Sequence, residues 1–373
     1  MFIAGIKLKD FRQFSSKLVK FEQPAAMIIG ANGSGKSSIL EAIRLLSTGN
    51  SFRATRVEQM IRFDQDLARI KGSIYPDAES KAVDLAGLDK LELSLLLTPG
   101  ELQGKRTRKM LYTVNGNRRR KFDFTGKLLT VLFRPEDLRL VEGSPTRRRD
   151  YLNDALCLTD KQYDRSLSKY RKALRKRNKL LSLIKEGEQK PSVLKYWDMT
   201  IVKHGERLQS LRKKMIAFVN AQVRPPLDMK LIYQPSVITQ QRLDSHRSGA
   251  IGAGYTLIGP HKDDLRIDLN LAASESKQYK NLELFGSRGQ KRLGVLWLKL
   301  AELGWLRAKT EHQPVLLLDD ILSELDQVSR QLALNLMKSG QCIITSTNQD
   351  LLAEIEQHLA QQVQVINLKK SQD

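Results

Sequence analysis

Short apolar runs and longer stretches of helical periodicity alternate along the chain. Ala26-Met27-Ile28-Ile29 is an apolar run that suits a buried strand, and Ser38-Ile39-Leu40-Glu41-Ala42-Ile43-Arg44-Leu45-Leu46 follows with apolar residues at helical spacing. Leu91-Glu92-Leu93-Ser94-Leu95-Leu96-Leu97 adds to a β-rich stretch. From about Glu136 to Gln222 the text changes to long charged helical patterns, with Tyr151-Leu152-Asn153-Asp154-Ala155-Leu156 leading in. Lys190-Pro191-Ser192 breaks two such helices, and Val223-Arg224-Pro225-Pro226 ends the second. The Ser/Gly-rich stretch from Ser245 to Gly254 predicts a mobile loop. A further helical segment covers Lys291 to Ala301, and Pro314-Val315-Leu316-Leu317-Leu318 and Cys342-Ile343-Ile344 read as strands covered on both faces of a parallel sheet. The pattern predicts an α/β fold whose chain order splits one lobe. Residues 1–135 carry its first part, 136–255 an inserted, mainly helical basic lobe, and 256–373 its second part.

Between the first strand and its helix, Gly30-Ala31-Asn32-Gly33-Ser34-Gly35-Lys36-Ser37 fits the phosphate-binding pattern G-x-x-x-x-G-K-[ST] at every fixed position. Glycines let backbone N–H groups turn inward around phosphates, and the helix N-terminus adds its dipole and free donors. Lys36 supplies a point charge for the β- and γ-phosphates, and Ser37 is placed to ligate Mg²⁺. The plainer alternative is an ordinary glycine-rich strand-to-helix turn. Strand, glycine loop and helix together favour a nucleoside-triphosphate site. Asp319 and Asp320 end the later apolar run, at the edge where such sheets bind ligands. Asp319 is the natural Mg²⁺ partner, and Asp320 is placed to polarise an attacking water.

A third element decides the relationship. Leu284-Phe285-Gly286-Ser287-Arg288-Gly289-Gln290 runs directly into the Lys291 helix, another anion-binding helix start. It resembles the ABC ATPase signature motif, and Ser323-Glu324-Leu325-Asp326 matches that superfamily's D-loop. Thr347 stands where transport-type members carry a switch histidine. The resemblance implies that Ser287, Gly289 and Gln290 cap the γ-phosphate held by a partner subunit. Within the superfamily the chain resembles the RecF family. The resemblance rests on Leu8 to Arg12, Leu46 to Arg53, Val131 to Asp137, Val141 to Pro145, Arg147 to Arg149, Gly259 to Asp264 and Leu318 to Asp326. It implies an ATPase head that binds ATP and Mg²⁺, hydrolyses ATP slowly and forms an ATP-dependent homodimer on DNA. It also implies work at single-strand gaps with RecO and RecR, loading of RecA, support of replication restart and the SOS response, and a cytoplasmic location. Two departures stand out: Arg288 is bulky where related signatures often carry a small or uncharged residue, and no Gln-loop glutamine is evident.

Charge sharpens this picture. The 373 residues carry a formal net charge of +22, which suggests a polyanionic partner. Lys105, Arg106, Arg108 and Lys109 precede Arg118, Arg119, Arg120 and Lys121 across an Asn115-Gly116 hairpin turn. Arg171, Lys172, Arg175, Lys176, Arg177 and Lys179 form a second cluster, much of it able to line one helix face and track a phosphate backbone. Cys157 and Cys342 read as small core residues in a reducing cytosol, and His261 beside Asp263 and Asp264 as a structural hydrogen-bonding group. No signal peptide, membrane-length apolar run or lipidation motif appears. Two other functions compete. An ABC transport ATPase predicts a coupling groove and sedimentation with membranes. A nuclease-associated ATPase predicts a second carboxylate cluster and metal-dependent DNA cleavage.

Overall fold

The computed structural model describes residues 1–83, 89–222, 228–270 and 278–369. The helix end expected at Val223-Arg224-Pro225-Pro226 lies outside the described residues. The chain forms two compact units, Met1–Asp137 with Leu298–Asp373, and Leu138–Trp297.

The first unit holds two sheets. A five-stranded parallel sheet runs in the order Thr130–Phe133, Val315–Asp319, Cys342–Ser346, Ala25–Gly30, Gln364–Leu368. All five residues of Val315–Asp319 and of Cys342–Ser346 are buried, as expected for strands covered on both faces. A six-stranded antiparallel sheet has the order Phe14–Lys20, Phe2–Phe11, Ala68–Tyr75, Leu91–Leu97, Met110–Val114, Asn117–Arg119. The helix Lys36–Thr48 lies between the two sheets. Its Ile39, Leu40, Ile43 and Leu46 share a core with Ile6, Ile70 and Leu95 of one sheet and Ile28, Leu317 and Ile343 of the other. Twelve of its thirteen residues are buried, so the polar ones need partners. Glu41 takes a bidentate pair of bonds from Arg12, at 2.8 and 2.6 Å, and Arg44 donates to the Thr130 carbonyl at 2.6 Å. The turn after Met110–Val114 follows its sequence: Asn115 and Gly116 both take positive φ, 48° and 74°, the backbone a tight hairpin requires.

The second unit is mainly helical. Lys161–Lys185 and Lys195–Gln222 pack along each other, joined through the short turn Pro191–Leu194, and Pro145–Thr159 packs beside them. Met229–Gln234, Asp264–Asn270 and Tyr279–Asn281 form a three-stranded antiparallel sheet. That sheet explains why the unit extends to Trp297 rather than ending at the expected 255: Met229–Gln234 pairs along its length with Asp264–Asn270, across that boundary. A second correction concerns Ser245 to Gly254, which is not a loop: Ser245 ends the short helix Gln240–Ser245, and Arg247–Ala253 forms another. The Thr239 hydroxyl caps the first, and Gly254 closes the second in the left-handed region at φ 77°. Arg177 is also corrected. It is buried and bonded to Asp198 at 2.6 Å and Thr256 at 2.9 Å, while Arg171, Lys172, Arg175, Lys176 and Lys179 are exposed.

Candidate functional site

The site begins in the register of the parallel sheet. Asp319 lies beside Thr345, Thr345 beside Ile28, and Ser346 beside Ile29, so three strands end together where the loop Gly30–Ser37 begins. Gly33 and Gly35 take φ 83° and 98°, a region other residues enter at a cost. A Cβ on Gly35 would collide with the side chains of Gln13 and Phe14, whereas Gly33 faces open space. The helix starts on Gly35, whose carbonyl accepts from Ser38 and Ile39 at 3.0 and 3.1 Å.

Lys36 is buried, and its ammonium donates to the loop carbonyls of Gly30 at 2.7 Å and Ala31 at 3.2 Å. Asp319 Oδ1 accepts from two hydroxyls, Ser37 and Thr345, each at 2.8 Å. Sequence reading found Ser37 and missed Thr345, whose signal was a hydroxyl at the end of a wholly apolar run. Asp320 departs from the strand with φ 52°, and its N–H reaches the Thr345 carbonyl at 3.2 Å and hydroxyl at 3.1 Å. Burial raises the Asp320 carboxyl above the usual range and the charge of Asp319 adds to this; Lys36, the Thr347 N–H and Ser323 oppose them. Two buried oxygens here have no hydrogen-bond partner among the described residues, Asp320 Oδ1 and Ser34 Oγ. Such atoms are costly unless something else satisfies them, so they fit a site for a polar ligand. The hydroxyl and carboxylate of Ser37 and Asp319 form an oxygen donor set of the kind Mg²⁺ takes.

Ser287, Gly289 and Gln290 belong to the second unit. The Ser287 hydroxyl accepts from the Gln290 N–H at 3.3 Å while the Gln290 side chain accepts from the Ser287 N–H at 2.8 Å. This reciprocal pair is a capping box, and it starts the helix Arg288–Thr310. In the D-loop the Ser323 hydroxyl donates to the Asp320 carbonyl at 3.0 Å, and Asp326 caps the helix Gln327–Met337 through the Ser329 N–H at 2.9 Å. His261 is bonded on both ring nitrogens, to the Tyr170 hydroxyl at 2.7 Å and the Thr256 carbonyl at 3.1 Å. A carbonyl only accepts, so Nε2 carries the proton and the tyrosine donates to Nδ1. Beside it, Asp263 is buried among Arg212, Gln209, Tyr233 and the Ser236 N–H. No helix among the described residues is long and apolar enough to cross a membrane.

Known proteins resemble this chain along most of its length. The family described as RecF/RecN/SMC N terminal domain matches residues 2–370. The DNA replication and repair protein RecF of Thermoanaerobacter pseudethanolicus is 32% identical over 372 residues, covering 94% of this chain and 96% of that one. RecF of Bacillus cytotoxicus is 31% identical, covering 99% of this chain and 97% of its own. The structure of the recombination mediator protein RecF-ATP in the RecFOR pathway superposes with a TM-score of 0.79 at 28% identity, over 93% of this chain and 92% of that one. With its phosphate-loop head, acidic strand and near end-to-end likeness to these relatives, the chain belongs to the RecF family of DNA replication and repair proteins within the RecF/RecN/SMC ATPases.

Proposed function

We propose that this chain is a slow ATP-hydrolysing clamp on DNA: ATP joins two copies, the pair closes on duplex DNA near single-strand gaps, and hydrolysis reopens it. The observation that carries the reading is the grouping of the Ser37 and Thr345 hydroxyls on one Asp319 carboxylate oxygen, beside an Asp320 oxygen that is buried with no partner among the described residues. The Gly30–Ser37 backbone cradles the phosphates, and Lys36 leaves its loop carbonyls for the β- and γ-phosphate oxygens. Ser37 and Asp319 would hold Mg²⁺, which supplies charge neutralisation at the phosphates when bound. Asp320 orients the attacking water. Its carboxylate reaches less far than a glutamate, which suits slow turnover and a timer rather than a pump. Ser287, Gly289 and Gln290 act on the nucleotide of the partner copy.

The RecF-ATP relative is named for the RecFOR pathway, which supports the reading that the clamp works with RecO and RecR; loading of RecA in the cytoplasm is proposed with it. The test is Lys36→Ala. It removes the charge facing the phosphates, so ATP hydrolysis and ATP-driven dimerisation should be lost while the fold, followed by circular dichroism, persists. Undiminished turnover in that variant overturns the site.

A further inference from the structure

The six-stranded sheet packs one face on the Lys36–Thr48 helix, and its other face carries an unusual ladder of charge. In Phe2–Phe11, Ile6 and Leu8 point inward while Lys7 and Lys9 are exposed; in Ala68–Tyr75, Ala68, Ile70 and Ile74 are buried while Arg69 is exposed and Lys71 half-buried. The register sets Lys7 directly opposite Lys71 and Lys9 directly opposite Arg69. Facing side chains on antiparallel strands lie about 5 Å apart, and like charges placed there destabilise the sheet. Among the described residues Lys7, Lys9 and Arg69 make no ion pair, and Lys71 meets Glu92 at 3.3 Å.

These residues line a shallow concavity of about 600 Å³, completed on its flanks by Lys20 and Lys90. Six cationic side chains and one carboxylate surround it. A lysine on an edge strand is commonly a guard against sheet-to-sheet pairing, and Lys20 on the edge strand Phe14–Lys20 is explained that way. Lys7, Lys9, Arg69 and Lys71 stand on interior strands, where no edge needs guarding. Apart from the Lys71–Glu92 pair, no ion pair among the described residues offsets their repulsion, which leaves the face open to an anionic partner.

We infer that this sheet face is a binding site for the sugar–phosphate backbone of double-stranded DNA. Charge complementarity selects a polyanion. The lining offers ammonium and guanidinium groups in two rows with Tyr75 as its one aromatic, so it lacks the platform of rings on which single-stranded bases stack. Backbone contacts of this kind position DNA without reading its sequence. The site rests on the reading of the chain as a DNA-binding protein and adds to it the interior strands Phe2–Phe11 and Ala68–Tyr75.

The experiment uses the full chain as parent and as the double variant Lys7→Gln, Arg69→Gln, which takes one cation from each opposed pair. Duplex binding is titrated across salt, without nucleotide and with ATP, and ATP affinity is measured alongside. Each lost phosphate contact lowers the slope of log K against log salt by about 0.9, so the slope should fall by about 2 and affinity at 0.1 M salt by about tenfold to a hundredfold. ATP affinity should not change. The melting temperature at low salt should rise, because two repulsions are removed, an outcome that a structural role for these cations would reverse. An unchanged slope overturns the inference. So does a variant that binds duplex normally but loses affinity for poly-glutamate, which would mark the face as a protein-docking surface. If the parent itself shows no effect of ATP on DNA binding, it is the clamp reading that fails, and the slope comparison still decides the site.

Discussion

Asp319 Oδ1 accepts from Ser37 and Thr345 together, so the hydroxyl of one strand end and that of the loop helix are fixed by a single atom. Thr345→Val keeps the shape of the side chain and removes one of the two bonds. The Asp320 N–H retains the Thr345 carbonyl at 3.2 Å, so the strand end should hold. The expected cost is about 1–2 kcal/mol of stability, the usual loss when a buried acceptor gives up a partner. Nucleotide affinity should weaken severalfold in the presence of Mg²⁺ and little in its absence, since the freed carboxylate is then less well oriented for the metal. Denaturant melts and paired nucleotide titrations check both. A variant equal to the parent in each would show that Thr345 is not part of the site. The loop and the acidic strand end were legible in the sequence because their signals are local: glycines at fixed spacing, an apolar run, two carboxylates. Thr345 was not, because its role comes from the pairing of strands that are far apart in the chain, Asp319 with Thr345 and Thr345 with Ile28. Gln13, which fills the space above Gly35, was hidden for the same reason.

At the scale of elements, the start of the Arg288–Thr310 helix has two roles that substitution can separate. Its capping box ties Ser287 to Gln290, and losing an N-cap costs about 1 kcal/mol. Asn is as good an N-cap as Ser but larger, so Ser287→Asn should preserve the helix and obstruct the approach of a partner's phosphate. ATP binding by the monomer should persist and ATP-driven dimerisation should fall, as read by light scattering; full dimerisation with ATP would refute the trans-acting role. The elements around His261 give a second test. Burial pushes its imidazole down to about 4, against an ordinary 6.5, so the unfolded chain takes up a proton that the folded one refuses. That stability is fully present above pH 6.5 and is lost as pH falls toward 4, by on the order of 3 kcal/mol. Gln offers an acceptor for Tyr170 and a donor for Thr256 without a titrating ring. His261→Gln should therefore lose less stability than the parent between pH 7 and pH 5, and identical pH profiles would reject the account. Element boundaries were less legible than sites. Ser245 to Gly254 is rich in residues that favour turns, yet it holds the end of a helix capped at Thr239 and the whole of a second closed by the left-handed Gly254. The far edge of the second unit was hidden because strand pairing, not composition, carries it past residue 255 to Trp297.

For the whole molecule the charge of +22 makes salt the variable against which any DNA cycle must be read. Asp320 links that cycle to chemistry. Its backbone sits in the left-handed region at φ 52°, which Asn tolerates and which costs Ala about 1 kcal/mol or more. Its carboxyl is raised mainly by burial, and one oxygen is buried with no partner among the described residues. Asp320→Asn therefore keeps the backbone and the size, removes the charge that would orient water, and leaves Asp319 and Ser37 in place. ATP should bind and persist, and the closed pair should keep its hold on DNA. After a challenge with ATP and excess competitor DNA, the variant should release labelled duplex at least tenfold more slowly than the parent. Because the grip is made of phosphate contacts, that difference should shrink steeply as salt rises, since both then let go. Equal release rates at low salt, with hydrolysis shown to be absent in the variant, would mean that ATP turnover does not open the clamp.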